Sequence, residues 1–393
     1  MTWRAFLVET MTGVVGAQLD IAGTGSWSIP LNGIEEWNVT VGKDQLRRID
    51  SWRWGPWAGS ILMAWETSDG TLAPWLLGPI VQPPKEQHDT ATLTCRGLGA
   101  LLEKRVVLAA EYADMTTLAR SSVALVGMSL GTIAQEVVKR ACAKSGGLLP
   151  IVFRSPRETG SRLNQRTYEG WNLANNGAFK RITEITKVRN GPDIVFRPEW
   201  VDEGRSVAWG MWHGTVAQPT IGQDWTMDID TTAPTAPVAA ATVTRDAAPL
   251  NSRVYWTGAG EGAGTLVRMV EDVKRRYFGM PLLEQVGATS DSDNPALIQA
   301  HAAAALASGV APITQISVTV DGSDPRCEIG RWHVGDAARL TLGTEWLTVP
   351  AGTTEQRIIA AKGSWTSSAV DLDFQQDREV YTGEDDQADG ASS

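Results

Sequence analysis

The period of the hydrophobic pattern switches twice along this 393-residue chain, and each switch removes whole classes of fold. Up to about residue 108 the alternation is that of half-buried strands. Trp37, Val39 and Val41 alternate with polar residues, and so do Leu93 and Cys95 within 90–95. The apolar runs 61–65 and 72–77 flank Ser68-Asp69-Gly70, where Asp-Gly supplies the positive φ of a hairpin turn, and Pro74 places the second run at a sheet edge. From about residue 112 the spacing becomes helical. Leu130, Ile133, Val137 and Ala141 predict a helix, with Thr132-x-x-Gln135 as capping box and Gly146-Gly147 as stop. A second helix is expected over 178–189, burying Phe179, Ile182 and Ile185 and ending at Asn190-Gly191-Pro192. Strands at 194–196, 207–212 and 224–229 follow it.

Residues 231–249, with Ala-Pro-Thr-Ala-Pro-Val-Ala-Ala-Ala, have little to bury and read as an extended connector. A short strand at 253–256 then meets Gly258, Gly260, Gly262 and Gly264. Leu266, Val270, Val273 and Tyr277 predict one face of an amphipathic helix capped by Gly279. Asn294-Pro295 opens another helix in the favoured order of cap and proline, with Leu297, Ile298, Ala302, Ala305 and Leu306 on its apolar side and Gly309 and Pro312 at its end. Strand pattern returns at 316–320, 337–342, 356–360 and 369–374. The expected class is α+β and β-rich, with two β-barrel-like domains and α+β insertions. The boundaries are an N-terminal β-barrel-like domain at 1–110, an α+β domain at 111–230, a connector at 231–249, a strand and two helices at 250–312, a C-terminal β-barrel-like part at 313–380 and an acidic, solvated tail at 381–393.

Composition narrows the function classes. A formal charge of −10 argues against wrapping nucleic acid, which needs clustered Lys and Arg to neutralise phosphates. No apolar run reaches the ~20 residues of a membrane helix, and the first residues lack the apolar region of a signal peptide. Cys95, Cys142 and Cys327 lie far apart, as buried thiols do, with neither a disulfide framework nor zinc spacing. Tryptophan stands out at 17 residues against 6 Phe and 5 Tyr, and eight of them (Trp3, Trp27, Trp37, Trp52, Trp54, Trp57, Trp65, Trp75) precede residue 80. These rings are expected to fill barrel cores and seams between subunits; a glycan-binding surface using Trp52 and Trp54 is the other use such residues have.

Two motifs resemble chemistry. Gly127-Met128-Ser129-Leu130-Gly131 is a literal Gly-x-Ser-x-Gly before a helix, with His213, His301 and His333 downstream in the order of a hydrolase triad. Against it stand a cap at Thr132 that starts the helix too late, the lack of a parallel strand-helix alternation before residue 110, and no glycine-rich oxyanion loop. Gly258-Ala259-Gly260-Glu261-Gly262-Ala263 meets the loose dinucleotide pattern Gly-x-Gly-x-x-Ala, but Glu261 falls where pyrophosphate would sit and the segment reads better as a close-packed turn. The four histidines, His88, His213, His301 and His333, are too scattered for a metal site, and acidic pairs such as Glu35-Glu36 and Asp371/Asp373 read as solvated. No catalytic, cofactor-binding or metal residue is expected.

The order of modules resembles that of the tail-hub proteins of long-tailed bacteriophages. The segments closest to that family are 258–264 with its following helix, Tyr277-Phe278-Gly279-Met280-Pro281-Leu282-Leu283-Glu284, the helix around His301 to Leu306, and Val334-Gly335-Asp336-Ala337-Ala338-Arg339-Leu340. The resemblance implies a homotrimeric ring at the virion's tail tip, assembled in the host cytoplasm, that adapts a sixfold tail tube to a threefold spike. It implies as partners the distal tail ring protein, the C-terminal end of the tape-measure protein and downstream tip or receptor-binding proteins. Phage DNA would pass through the lumen without specific binding. No cofactor is implied. The expectation is therefore a structural protein and not an enzyme; the alternatives are a serine hydrolase acting through Ser129 and a glycan-binding module in the Trp-rich N-terminal region.

Overall fold

The computed structural model describes residues 2–109, 115–161, 164–188, 191–221, 226–274, 279–289, 292–309 and 312–375. The chain divides into a larger unit, 1–241 together with 317 onward, and a smaller unit, 242–316. Tyr277 and Phe278, Arg189 and Asn190 where the second helix is expected to end, Asp224, and the acidic tail 381–393 lie outside the described residues.

In the larger unit β1 (Trp3–Glu9), β2 (Val15–Leu19), β5 (Gly59–Glu66) and β6 (Leu72–Pro79) form an antiparallel sheet in the order β2-β1-β5-β6. The β5–β6 hairpin closes where the Asp-Gly signal puts it, with Gly70 at φ +82°. Asp69 accepts hydrogen bonds from the Thr67 hydroxyl and the Thr71 amide, and these bonds hold its carboxyl down to about 2. Pro74 sits on the edge strand β6 beside a register shift, where its missing N–H costs no ladder bond.

A ten-stranded sheet contains β3 (Ser26–Pro30), β4 (Glu36–Gly42), β7 (Lys85–Glu86), β8 (Thr90–Arg96), β14 (Met227–Asp230), β15 (Val238–Asp246), β19 (Ile313–Asp321), β20 (Ala337–Leu342), β21 (Gly352–Ser364) and β22 (Ala369–Gln375). Its main path runs β15-β19-β22-β21-β3-β4-β8-β7, with β20 pairing β21 off this path and β14 pairing β20. The 13-residue β21 makes this one sheet. Its first half pairs with β20, its last residues Ala360 to Ser364 pair with β3, and β22 runs along its other edge. The β regions read separately from the sequence thus share a ladder, which joins Trp27 to Gly363 across 336 positions of sequence. The 231–249 stretch needs correcting. It is extended, but 238–246 is a paired strand and not a free linker, because β19 offers its backbone a ladder.

Short helices α1 (Lys43–Arg47), α2 (Leu98–Glu103) and α3 (Met115–Leu118) lead to the middle region. There β9 (Ser122–Leu125) pairs with β11 (Arg166–Glu169), and β10 (Ile151–Phe153), β12 (Ile194–Val201) and β13 (Ser206–His213) form a sheet ordered β10-β13-β12. Helices α4 (Leu130–Cys142) and α5 (Ala178–Thr186) bury Ile133, Val137, Ala141, Ile182 and Ile185 in a core shared with Leu62 and Leu77 of the first sheet and Trp209 and Met211 of β13. Each such aliphatic side chain contributes about 2 kcal/mol of burial. Phe179, expected inside, is only partly buried against this core.

The smaller unit holds β16 (Arg253–Thr257), β17 (Val267–Glu271) and β18 (Glu284–Ala288), ordered β17-β16-β18, with α6 (Pro295–Ser308) on one face. The α6 start follows the sequence signal: the Asn294 side chain accepts from the amides of Ala296 and Leu297, with Pro295 in the first turn. The helix expected from Leu266, Val270, Val273 and Tyr277 is not formed over 267–271. That stretch is strand β17, in register with β16 from Thr257↔Val267 to Arg253↔Glu271. Val267 and Val270 are β-branched and favour a strand once a partner ladder is adjacent. The glycines 258–264 accordingly form a hairpin loop containing a short 3₁₀ turn at Gly262–Gly264, and not a strand-to-helix turn. Among the described residues no helix is long and apolar enough to cross a membrane.

Candidate functional site

Ser129 is the residue on which a hydrolase reading depends, and its surroundings are fully determined. It is the N-cap of α4, at φ −63° and ψ 157°, an ordinary extended conformation without the strain of a nucleophile elbow. Its Oγ accepts from the Thr132 amide and donates to Thr132 Oγ1, while its own amide donates to Glu158 O. The cap expected at Thr132 is therefore Ser129, three residues earlier. Thr132 Oγ1 instead accepts from the Glu158 amide and ties the loop to the helix.

Of the three downstream histidines only His213 comes near this turn, with its ring against Gly131, where an added Cβ would lie 2.1 Å from Nδ1. Both ring nitrogens are committed elsewhere. Nδ1 lies 2.7 Å from Gly214 O and so carries the proton; Nε2 lies 2.9 Å from Gln135 Nε2 and so accepts. The second Gln135 proton goes to Ser155 O, and Ser155 Oγ donates to His213 O while accepting from the His213 amide. Burial pushes the His213 ring below its ordinary pKa, outweighing the Gly214 bond and the Glu158 charge that pull it up. This is a buried polar knot holding α4 to β13, and no nitrogen in it is free to take the Ser129 proton. Ser129→Ala is expected to cost about 1 kcal/mol, the usual value of a lost N-cap. It should leave assembly unchanged, checked by urea unfolding and by solution mass; loss of a measured esterase activity would reverse this reading.

The other motif residues are dispersed. His301 stacks on Trp256 at 5.4 Å in the smaller unit. His88 is exposed beside Asp89. His333 lies in the Val334-Gly335-Asp336 turn, stacked on Trp75 at 5.9 Å, and burial with Arg197 nearby pushes it down to about 3. Among the described residues no group of three or more His, Cys, Asp or Glu could hold a metal. The three cysteines are free and buried, and burial pushes the Cys327 thiol up to about 12.

The turn at 334–336 is where the sequence motif and the tertiary structure meet. Gly335 takes φ +101°, which only glycine adopts without strain. Asp336 is buried; its carboxylate accepts from the His333 amide and from Arg197 at 3.3 Å. Burial pushes the Asp336 carboxyl up and the Arg197 guanidinium down, so desolvation outweighs the attraction between them. Next to this pair Arg357 donates to Gly335 O and pairs with the buried Asp193, which also accepts from Asn32 Nδ2 and the Ile221 amide. Strands β12, β20 and β21 and the loop after β3 thus converge on one polar junction. Sequence reasoning missed it, because partners such as Arg197 and Asp336 lie 139 positions apart.

Glu35 borders the same junction, and its expected solvation holds only for its neighbour. Glu36 is exposed and bonded to Arg96, whereas the Glu35 carboxyl turns inward onto Gly97, where an added Cβ would lie 1.8 Å from Oε2. Burial pushes this carboxyl up to about 7 from 4.5, against a hydrogen bond from its own backbone. The folded chain therefore binds a proton more tightly than the unfolded one. Stability present below the unfolded value is lost as pH rises through about 7. Glu35→Gln is expected to remove this dependence and to add about 2 kcal/mol at pH 8, less than the full shift because the residue is partly exposed. Urea unfolding at pH 5 and pH 8 reads the difference.

The tryptophans form a core. Trp3 meets Trp27, Trp65 and Trp365 edge-on at 4.9–6.1 Å, and Trp75 meets Trp27 and Trp332 in the same way. Of the two residues that a glycan surface would use, Trp54 donates its indole N–H to Leu46 O and Ile49 O, and exposed Trp52 has its face covered by Arg53 at 4.8 Å.

No protein-family model matches the sequence, and no curated protein is significantly similar to it. Solved structures do match. The tail protein from Neisseria meningitidis MC58 superposes with a TM-score of 0.54 at 12% identity, covering 96% of this chain and 97% of that one. The 43 kDa tail protein of prophage MuSo2 from Shewanella oneidensis gives 0.55 at 9% identity, covering 95% and 98%. The chain has the β-rich α+β fold of these tail proteins, matched over 95–98% of each chain.

Proposed function

We propose that the chain is a structural component of a phage tail tip, a hub that assembles as a homotrimeric ring, adapts the sixfold tail tube to a threefold tip and forms part of the DNA exit channel. The observation that carries this reading is the likeness of fold to two tail proteins, one of them from a prophage, with 95–98% of both chains covered. In this reading the chain sits in the virion at the tail tip after assembly in the host cytoplasm. It contacts the distal tail ring protein, the C-terminal end of the tape-measure protein and downstream tip or receptor-binding proteins. Its net charge of −10 favours passage of DNA without adhesion. The reading assigns no catalytic, cofactor-binding or metal-ligating residue, in keeping with Ser129 as a helix cap and His213 as a satisfied core histidine. Solution mass of the purified chain, alone and with its ring partner, tests it. Three copies are expected, and a chain that stays monomeric in both samples would sink the proposal.

A further inference from the structure

The smaller unit carries a disproportionate share of exposed apolar surface. Of the 15 large apolar side chains left exposed among the described residues, 7 fall within 242–316. Three of them, Val267, Met269 and Val286, lie on the three-stranded sheet and share one face of it. In β16–β18 alternate residues point to opposite faces, and the register aligns Met269, Tyr255 and Val286 in one row and Val267, Thr257 and Ala288 in the next. Helix α6 lies on the other face, where Val254 is buried and Trp256 stacks on His301. The row face has no cover within the unit: Met269 is 48% and Val286 71% exposed. Its charges are already satisfied, since Arg253 bonds both Glu271 and Glu284. Covering this face would strand no ion.

Helix α6 is uncovered in the complementary sense. Ile298 and Ala302 face the sheet, while Ala300, Ala303, Ala304 and Ala307 face outward, and residues 295–308 include no Asp, Glu, Lys or Arg. That outer side is small and uncharged, with Gln299 its one long polar side chain, and an apolar helix side of this kind is ordinarily covered. The unit thus presents two different apolar faces, on opposite sides of one sheet. A closed ring of copies needs two unlike, matching patches on each subunit.

We infer that the open face of β16–β18 receives the outer side of α6 from the neighbouring copy, so that each copy gives one contact and accepts one around the ring. This rests on the ring proposed above and names the surface that closes it. The size of the contact selects the occupant. A 14-residue helix is about 21 Å long and buries on the order of 400 Å² a side, about half of what a free-standing complex needs. Such a surface cannot hold an independent partner. It can hold one already kept at high effective concentration by the rest of the ring.

Val286→Cys and Ala303→Cys in one chain test the contact. The sheet separates the two introduced thiols within a copy, so cross-linking with a short bis-maleimide must join neighbours. A ladder ending at three copies on a denaturing gel is expected, with neither single variant giving one. Val286→Glu alone should raise the concentration at which the ring dissociates at least tenfold, and adding Ala303→Lys should restore it. A ring of three by solution mass that gives no ladder and tolerates Val286→Glu would overturn this contact and leave the ring standing. A monomer under every condition would remove both.

Discussion

Replacing Trp75 with alanine is expected to lower unfolding free energy by about 4 kcal/mol, within the range for truncating a large buried aromatic. Trp75 is 4% exposed, with Trp332 edge-on at 5.1 Å, Trp27 edge-on at 5.8 Å and His333 nearly parallel at 5.9 Å. Its neighbours belong to β3 and to the turn before β20, so they are drawn from both ends of the chain and cannot collapse into the gap independently. No hydrogen bond to its indole N–H is lost, so the effect is one of packing. Trp75→Phe should keep the edge contacts and cost about 1–2 kcal/mol. Denaturant midpoints with an unchanged m-value check both. A loss below 1 kcal/mol for alanine would show that the cluster is not the packed centre described.

Asp193→Ala is expected to cost about 3–5 kcal/mol, because it leaves the Arg357 guanidinium, the Asn32 amide and the Ile221 N–H without their carboxylate in a buried place. The pair itself need not be net stabilising. Replacing both Asp193 and Arg357 with apolar residues of similar volume should recover much of the loss, since desolvation of the two charges is then avoided. A double-mutant cycle on unfolding free energy separates these terms: a coupling below 0.5 kcal/mol would mean that Asp193 acts alone.

The junction around Asp193 shows what kind of information a sequence lacks. Its local pieces were visible: the Gly335 turn, the strand at 337–342 and the strand at 194–196 all stand where periodicity and turn chemistry put them. Their convergence was not visible, because an ion pair between positions 193 and 357 leaves no local pattern in either segment. The same limit explains Glu35. Its neighbour Glu36 looks identical by composition, and only the approach of Gly97 decides which carboxyl turns inward. The misread at 267–271 has a different origin. Apolar residues at 266, 270 and 273 fit a helix, and the alternation that fits β17 becomes decisive only when β16 is there to pair with it. One reason set against a hydrolase reading of the Gly-x-Ser-x-Gly motif, a late cap at Thr132, does not hold, because Ser129 caps its own helix directly.

Local chemistry in the sequence determined the class and the punctuation of this protein. Alternation set the strands β4 and β8, Asp-Gly between two apolar runs set the β5–β6 hairpin, helical spacing set α4 and α5, and Asn294-Pro295 set the start of α6. These depend on backbone geometry within a few residues, which sequence order specifies by itself. Tertiary structure alone decided that β21 joins both β regions into one sheet, that the tryptophans from both ends share a core, that His213 is spent on Gln135 and Gly214, and that one face of β16–β18 is left bare. Each of these is a pairing between distant segments. Its free energy comes from burial that exists only after the chain has closed on itself.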